Sequence, residues 1–170
     1  MPFTIFESPF GELTLVAGAG GELRRLYFPG TAPAFPDRDD HPEHLAVASE
    51  QLEQYFRGER MQFELPLEFA GTPFQRSVWR ALRGIAYGTT TTYGALARQL
   101  DAQPRAVGAA VGATPIPIVI PCHRVIGTDG SLTGYGGGLP RKRALLAFEG
   151  AGGERGAFDA AWSERQLALL

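Results

Sequence analysis

The sequence predicts two lobes: a small α/β N-terminal lobe with a sheet and one helix, and a mostly helical C-terminal lobe that contains a helix-turn-helix. Alternating apolar residues, typical of strands, are confined to residues 1–70, whereas helix start and stop signals dominate residues 71–150. The charge also changes sign, because residues 1–70 hold 5 basic and 12 acidic side chains and residues 71–150 hold 9 and 3. A basic lobe attracts polyanions, although charge complementarity between the lobes would explain the same split.

The N-terminal lobe, residues 1–70, contains patterns of both strands and a helix. Residues 3–28 predict short strands, with a glycine-rich hairpin turn at 18–21. Residues 43–57 have the apolar spacing of a helix. Residues 61–69 are apolar at every odd position, but a proline among them limits this segment to an edge strand or extended chain. None of these patterns predicts a chemical role.

Three helices are predicted after a boundary near residue 71. Thr72 and Pro73 suit the start of the first helix, as N-cap and first helical residue. Thr92 can cap a second helix, and a third begins at Pro104 and extends to about Gly112. The second and third helices with their short connection have the outline of a helix-turn-helix.

The third helix is unusually poor in bulky side chains. Arg105 and Ala106 lie in its first turn, and glycines follow at Gly108 and Gly112. A glycine inside a helix costs roughly 0.5–1 kcal/mol relative to alanine, so these glycines indicate close approach of another group. Tight packing against a neighbouring helix and close approach of a nucleic-acid backbone both fit.

The stretch "IPIVIPCHRVIG", residues 116–127, contains Cys122, the single cysteine of the chain, followed directly by His123. Residues 118–120 predict a short buried strand between prolines. If that strand continued, adjacent side chains would point to opposite faces, so the chain must turn or a water must relay a proton. Cys122 is then either a small core residue or a nucleophile whose histidine needs a third group for orientation.

Three carboxylates within residues 71–150 could orient that histidine: Asp101, Asp129 and Glu149. Asp101 lies in the predicted inter-helix turn and Asp129 in a glycine-rich loop. Glu149 lies at the C-terminal turn of a last predicted helix, where the helix dipole disfavours an anion. A buried partner would explain that position, so Glu149 is the best candidate.

The composition bears on the cellular compartment of the protein and on the kinds of site it can form. It is 44% hydrophobic and 20% charged, without an apolar run of about 18 residues or a basic-then-apolar leader. We therefore expect a protein without a membrane span. One cysteine allows neither an internal disulfide nor a multi-cysteine zinc site, and it suits a reducing cytoplasm. We expect neither a metal nor a cofactor. No oligomerisation pattern is evident, so a monomer is expected. Residues 151–170 form a tail in which 159–170 fit a short helix.

The motif "PCHRVIG" closely resembles the active-site motif of the O6-alkylguanine-DNA alkyltransferases. The resemblance extends over roughly residues 72–150, through "TTTYGALA", "RAVGAAVG", "TGYGGG" and "LLAFEG", and more loosely over residues 1–70. It implies a ribonuclease-H-like N-terminal lobe. It also implies a DNA repair protein that flips alkylated guanine out of duplex DNA and accepts the alkyl group on its own cysteine, once per molecule.

The resemblance also implies roles for individual residues. Cys122 accepts the alkyl group, His123 takes its proton through a water, Glu149 orients His123, and Tyr93 donates to the leaving guanine. Arg105 fills the gap left in the base stack. The helix of small residues enters the minor groove. The other residues implied to contact DNA or the flipped base, or to support the pocket, are Ala106, Gly108, Thr114, Val125, Tyr135 and Gly136.

This chain departs from the family pattern at three places. Thr114 stands where asparagine is common, Gly136 replaces a serine of some members, and two fewer residues separate Tyr93 from Arg105. These departures affect lesion preference and rate more than reaction class. Phosphate contacts stay open among four arginines: Arg76, Arg80, Arg98 and Arg124.

Three other functions remain compatible with the sequence. One is a lesion binder that does not transfer the alkyl group, which the cysteine argues against. Another is a Cys-His hydrolase, which would need an oxyanion hole. The third is a DNA-binding module in which Cys122 is only a core residue.

Overall fold

The computed structural model describes residues 1–35 and 42–151. The chain divides into two compact units, Met1–Ala70 and Gly71–Leu170. The first contains a small sheet and the second is mainly helical, which confirms the predicted combination of the two. The predicted tail helix at 159–170 lies outside the described residues.

The N-terminal unit is built on an antiparallel sheet with strand order β1-β2-β3. Its elements are β1 Phe3–Ser8, β2 Gly11–Ala17, β3 Leu23–Tyr27 and α1 Ala46–Phe56, with a 3₁₀ turn at Pro42–Leu45. The predicted hairpin turn between β2 and β3 is present, and Gly21 adopts a φ of +88° there. Leu13, Leu15 and Leu52 are fully buried and form part of the core of this unit.

The segment of residues 61–69 is extended chain rather than a regular strand. It makes one isolated parallel bridge, between Leu23 and Leu67. Leu23 N–H donates to the carbonyl of Pro66 at 3.0 Å, and Glu68 N–H donates to the carbonyl of Leu23 at 3.0 Å. Pro66 has no N–H to give to a neighbouring strand, so regular pairing stops at this residue.

The described part of the C-terminal unit, residues 71–151, contains four α-helices and a small parallel strand pair. These are α2 Pro73–Arg83, β4 Thr91–Thr92, α3 Tyr93–Gln99, α4 Pro104–Gly112, β5 Val125–Ile126 and α5 Leu139–Phe148. The predicted caps are correct, because Thr72 accepts from Gln75 N–H in a capping box and Thr92 accepts from Ala95 N–H. Within the described residues, no helix is long and apolar enough to cross a membrane.

Buried side chains of α2 and α4 hold the helices of this unit together. Val78 and Leu82 of α2 and Val107 of α4 are fully buried. Trp79 crosses to α4 and donates its ring N–H to the carbonyl of Ala110 at 2.9 Å. Phe74 has the helical spacing of Val78 and Leu82, yet it is 36% exposed, because it lies in the first turn of α2, at the edge of the packed face.

Candidate active site

The chain turns sharply before Cys122 instead of forming the predicted strand over residues 118–120. Ile118 adopts a φ of +74°, a conformation rare for a β-branched residue. Pro121, with φ −78° and ψ 60°, is the centre of an inverse γ-turn in which Cys122 N–H donates to the carbonyl of Ile120 at 2.7 Å. Cys122–Arg124 then form one 3₁₀ turn. The turn removes the strand alternation that would separate the cysteine and histidine side chains.

A buried cluster of three charged or polar side chains follows Cys122. Nε2 of His123 lies 2.8 Å from Oε1 of Glu149. Arg124 donates to both oxygens of the same carboxylate, from Nε to Oε2 and from Nη2 to Oε1, each at 2.8 Å. A third donation, from Nη1 of Arg124 to the carbonyl of Ile85, measures 2.6 Å. Glu149 is thus held by the histidine on one side and a two-pronged guanidinium on the other.

The end of α5 delivers Glu149 to this cluster. Glu149 is the C-cap residue of α5, and Gly150 follows with a φ of +73°, which lets the chain leave the helix there. Neither of the other two carboxylates considered from the sequence reaches the cluster. Asp129 binds Ser131 in its own loop, and Asp101 is exposed in the turn between α3 and α4.

The ion pairs set the protonation state of the cluster. Burial by itself would raise the pKa of Glu149, but the charge of His123 and the hydrogen bonds from Arg124 and His123 lower it to about 2. Burial lowers the pKa of His123 below its ordinary value, against the opposing effect of Glu149. A neutral His123 that donates Nε2–H to Glu149 has Nδ1 as its acceptor atom. Among the described residues no group hydrogen-bonds to that buried nitrogen.

The thiol of Cys122 is buried, with 4% of the residue exposed. Burial raises the pKa of Cys122 to about 11, although hydrogen bonds to Thr114 and Tyr135 and the charge of Lys142 act in the opposite direction. The resting site therefore holds a thiol rather than a thiolate at neutral pH. A histidine whose pKa is lowered cannot by itself hold the proton of such a thiol, so further stabilisation of the thiolate is needed.

Tyrosine and threonine side chains surround the sulfur. Tyr93 is the first residue of α3, and burial raises its pKa while a hydrogen bond to Thr133 lowers it. Burial and the nearby Cys122 raise the pKa of Tyr135 well above its ordinary value. Thr114 donates its hydroxyl to the carbonyl of Val111 at 2.7 Å. The hydroxyls of Tyr93 and Tyr135 remain protonated at neutral pH and can serve as hydrogen-bond donors, whereas the proton of Thr114 is already given to Val111.

Val125 and Gly136, which the resemblance places near the flipped base, differ in hydrogen bonding and in the space around them. Val125 N–H donates to the carbonyl of Cys122, and Val125 pairs with Thr91 in the parallel strand pair. Gly136 is exposed, and a Cβ there would meet only the carbonyl of Gly112, at 3.8 Å. Gly136 could therefore carry a small side chain as far as space is concerned.

One face of α4 is exposed and has little side-chain bulk. Arg105 and Ala106 are exposed, and Ala109 lies one turn further along. A Cβ on Gly108 would reach Tyr93 only at 3.9 Å, and a Cβ on Gly112 would meet no described atom within 4 Å. Within residues 1–35 and 42–151, close packing against another helix therefore does not account for these two glycines.

Two of the residues in the site were not assigned to it from the sequence. Arg124 was grouped with Arg76, Arg80 and Arg98 as a possible phosphate contact. Its guanidinium is instead buried against Glu149 and Ile85, so it is not available to a phosphate. Its position in the sequence directly after His123 could have indicated that Arg124 belongs to the site.

The second is Lys142, which is fully buried. It is the only lysine in the sequence, and this could have indicated a special role for it. Among residues 1–35 and 42–151, no group of three His, Cys, Asp or Glu side chains could hold a metal ion.

A buried thiol one residue away from a histidine–carboxylate pair is an arrangement typical of proteins with a cysteine nucleophile. Two family models match nearly the whole chain. The ribonuclease-like domain of 6-O-methylguanine DNA methyltransferase matches residues 1–69, and the DNA binding domain of the same family matches residues 73–151. The chain belongs to the 6-O-methylguanine DNA methyltransferase family, which confirms the resemblance seen in its motifs.

Individual relatives agree with the family models. The methylated-DNA--protein-cysteine methyltransferase of Mycolicibacterium paratuberculosis is 50% identical over 147 residues, covering 84% of this chain and 88% of the relative. The protein of the same name from Methanosarcina acetivorans is 44% identical and is covered over 99% of its length. Among solved structures, Mycobacterium tuberculosis OGT in complex with DNA has a TM-score of 0.79 and 44% identity, covering 89% of this chain and 94% of that one.

Proposed function

We propose that this protein repairs DNA by moving the alkyl group of O6-alkylguanine onto Cys122. The sulfur attacks the alkyl carbon, an S–C bond forms, and the C–O6 bond breaks with its electron pair left on the guanine. The thioether is stable, so each molecule reacts once. The buried contact between His123 and Glu149 beside the single cysteine carries the proposal, together with relatives named as methylated-DNA--protein-cysteine methyltransferases.

Proton movements at the site assign roles to three more residues. His123 receives the thiol proton at Nδ1, through a water. Its Nε2–H meanwhile keeps its hydrogen bond to the carboxylate of Glu149. Tyr93 gives its hydroxyl proton to the guanine ring as negative charge develops on the leaving base. The raised pKa of Tyr93 keeps that proton in place until it is needed. The reaction requires Cys122 as a free thiol, which suits a reducing compartment such as the cytoplasm.

The proposed base pocket lies between α3 and the glycine-rich loop that precedes α5. Tyr135 lines it, Thr114 supports it, and backbone groups of Cys122, Val125 and Gly136 complete it. The target atom is inaccessible within a stacked duplex, so the base must be flipped out at a cost of a few kcal/mol. An O6-alkyl group weakens base pairing, which lowers that cost for the lesion relative to normal guanine.

We propose that α3 and α4 form a helix-turn-helix that binds duplex DNA through the minor groove. The bare face of α4, with Ala106 and Gly108, allows the backbone of the helix to approach the groove. Arg105, exposed in the first turn of α4, would occupy the gap left by the flipped base. Arg76, Arg80 and Arg98 remain candidates for phosphate contacts. The protein would act as a monomer, since one bare helix face and one cysteine suffice for the reaction.

The proposed reaction predicts one added alkyl group per protein molecule. Incubation with duplex DNA containing O6-methylguanine should add one methyl group, about 14 Da, to the intact protein, and peptide mapping should place it on Cys122. Excess damaged DNA should not increase the modification further. Repaired DNA beside unmodified protein would instead indicate a hydrolase, and bound but unrepaired DNA would indicate a lesion binder.

Arg105→Ala should slow repair of O6-methylguanine in duplex DNA by about tenfold to a hundredfold, because the gap in the base stack is no longer filled and flipping becomes costlier by about 1–3 kcal/mol. Reaction with free O6-benzylguanine should stay within about twofold of the unaltered protein, since a free base needs no flipping. Gln103→Ala, on the same exposed turn, is a matched control. Equal losses on both substrates would exclude a role in the base stack.

A further inference from the structure

Lys142 is the only lysine among the 170 residues, in a chain that uses arginine at 15 positions. It lies on α5 and is fully buried, with 0% of the residue exposed. Burying an ammonium group costs several kcal/mol unless nearby groups stabilise the charge. The chain therefore places its one lysine where a positive charge has to be held inside the C-terminal unit.

The ammonium of Lys142 connects two parts of the site. Nζ donates to the backbone carbonyl of Thr133 at 2.8 Å and lies 5.8 Å from the ring centroid of Tyr93. Tyr93 also hydrogen-bonds to the side chain of Thr133. Lys142 thereby joins α5, α3 and the glycine-rich loop at one point. Within the described residues, no carboxylate forms an ion pair with it.

We propose that Lys142 is a positioning residue that holds Tyr93 and the loop at Thr133 in place and supplies the positive charge that favours the thiolate form of Cys122. The inference rests on the proposed alkyl transfer to Cys122. It adds a fixed cation that acts before and during the attack of the sulfur, whereas His123 and Glu149 handle the proton. No bond to Lys142 forms or breaks.

The charges of the lysine and the cysteine act on each other. Burial lowers the pKa of Lys142, and the nearby Cys122 raises it again. In the opposite direction, burial raises the pKa of Cys122, and Lys142 is among the groups that lower it. A fixed cation helps because the neutral His123 is too weak a base to hold the thiol proton alone.

Other groups that face the sulfur also bear on its titration. Tyr93 approaches from α3, Tyr135 from the glycine-rich loop and Thr114 from the end of α4. His123 follows in the same 3₁₀ turn, paired with Glu149, which also binds Arg124. None of these groups carries a positive charge that lowers the pKa of Cys122, whereas Lys142 does. Replacing Lys142 by a neutral residue removes both the charge and the bond to Thr133, so a variant that keeps the charge is needed beside it.

The decisive measurement is the single-turnover rate of alkyl transfer from free O6-benzylguanine between about pH 6 and pH 11. Lys142→Met keeps the length and removes the charge. We expect its pH–rate curve, followed on the limb that rises with pH, to move by about one unit toward alkaline pH and its rate at neutral pH to fall about tenfold, as one unit of thiol pKa requires. Lys142→Arg should keep the curve within about 0.3 unit of that of the unaltered protein, since the charge remains. Arg143→Met, which removes an exposed charge from the same helix, should leave both values unchanged.

An unchanged pH–rate curve in Lys142→Met, or equal shifts of the curve in Lys142→Met and Lys142→Arg, would overturn the inference. A failure of the unaltered protein to react at all would instead contradict the proposed function. If Lys142→Met does not fold, the single lysine can be labelled with ¹⁵N and its ammonium titrated by NMR in the unaltered protein and in Cys122→Ala. We expect a lower pKa for Lys142 without the cysteine, and equal values would also overturn the inference.

Discussion

Cys122→Ser is expected to reduce alkyl transfer below detection, by at least about 10⁴-fold. Attack on an alkyl carbon needs a soft and strong nucleophile, and a serine hydroxyl in this buried position stays protonated. The intact mass of the serine variant should not change after incubation with O6-methylguanine duplex DNA. The damaged base should also remain in the DNA.

The same variant should remain folded and bind damaged DNA. Serine is close in size to cysteine, and Thr114 and Tyr135 can hydrogen-bond to its hydroxyl. We expect the melting temperature within a few degrees of that of the unaltered protein, because a small polar exchange at a site with partners costs about 1 kcal/mol. DNA binding with no transfer would separate recognition from chemistry. Any methylated serine, or repair without modification of the protein, would contradict the assignment of Cys122.

Glu149→Gln is expected to lower the free energy of unfolding by about 3–5 kcal/mol and to slow alkyl transfer strongly. The guanidinium of Arg124 would remain buried without its counter-ion, which is among the costliest changes a folded protein can undergo. His123 would also lose the acceptor that fixes its tautomer and orientation. Denaturant unfolding followed by circular dichroism measures the first effect, and single-turnover transfer measures the second.

The double variant Arg124→Met, Glu149→Gln is the matched control. It removes both charges, so it should be more stable than Glu149→Gln alone by about 1–3 kcal/mol. Transfer should stay slow in the double variant, because His123 still lacks its acceptor. If the two single substitutions instead add up in unfolding free energy, the ion pair is not the source of the stability.

Acid should destabilise the protein through the same cluster. The pKa of Glu149 is lowered from 4.5 in the unfolded chain to about 2 when folded, so its stabilisation is present above about pH 4.5 and is lost as the pH falls toward 2. The pKa of His123 is lowered from 6.5, so its contribution is already lost in part below that pH. Both effects have the same sign. Glu149→Gln should show a smaller loss of stability between pH 5 and pH 3 than the unaltered protein.

Helix boundaries in the C-terminal unit could be predicted because their signals are local. Thr72, Thr92 and Pro104 act on backbone groups within one turn of themselves, so the capping rules apply without knowledge of the fold. Phe74 shows the limit of such reasoning, because it fits the apolar period of α2 and is nevertheless 36% exposed. The helical period predicts which side of the helix a residue lies on. It does not predict how far along the helix the buried face extends.

The path of residues 118–120 could not be predicted for a different reason. The run of apolar residues has the composition of a buried strand, yet Ile118 has a φ of +74° and the segment turns. Surrounding contacts hold this unfavourable conformation, and they come from residues distant in the sequence. The requirement that the chain turn near Cys122 followed from side-chain alternation, whereas the type of turn did not.

The sequence by itself determined the two-part organisation, the helix ends, the single thiol next to a histidine, and the family. These features depend on local backbone preferences and on a motif contiguous in the chain. Only the tertiary structure decided that Arg124 binds Glu149 instead of DNA and that Lys142 is buried against Tyr93 and Thr133. The residue type of a charged side chain does not reveal whether that side chain lies on the surface or in the core. Its role is set by groups that folding brings to it from elsewhere in the chain.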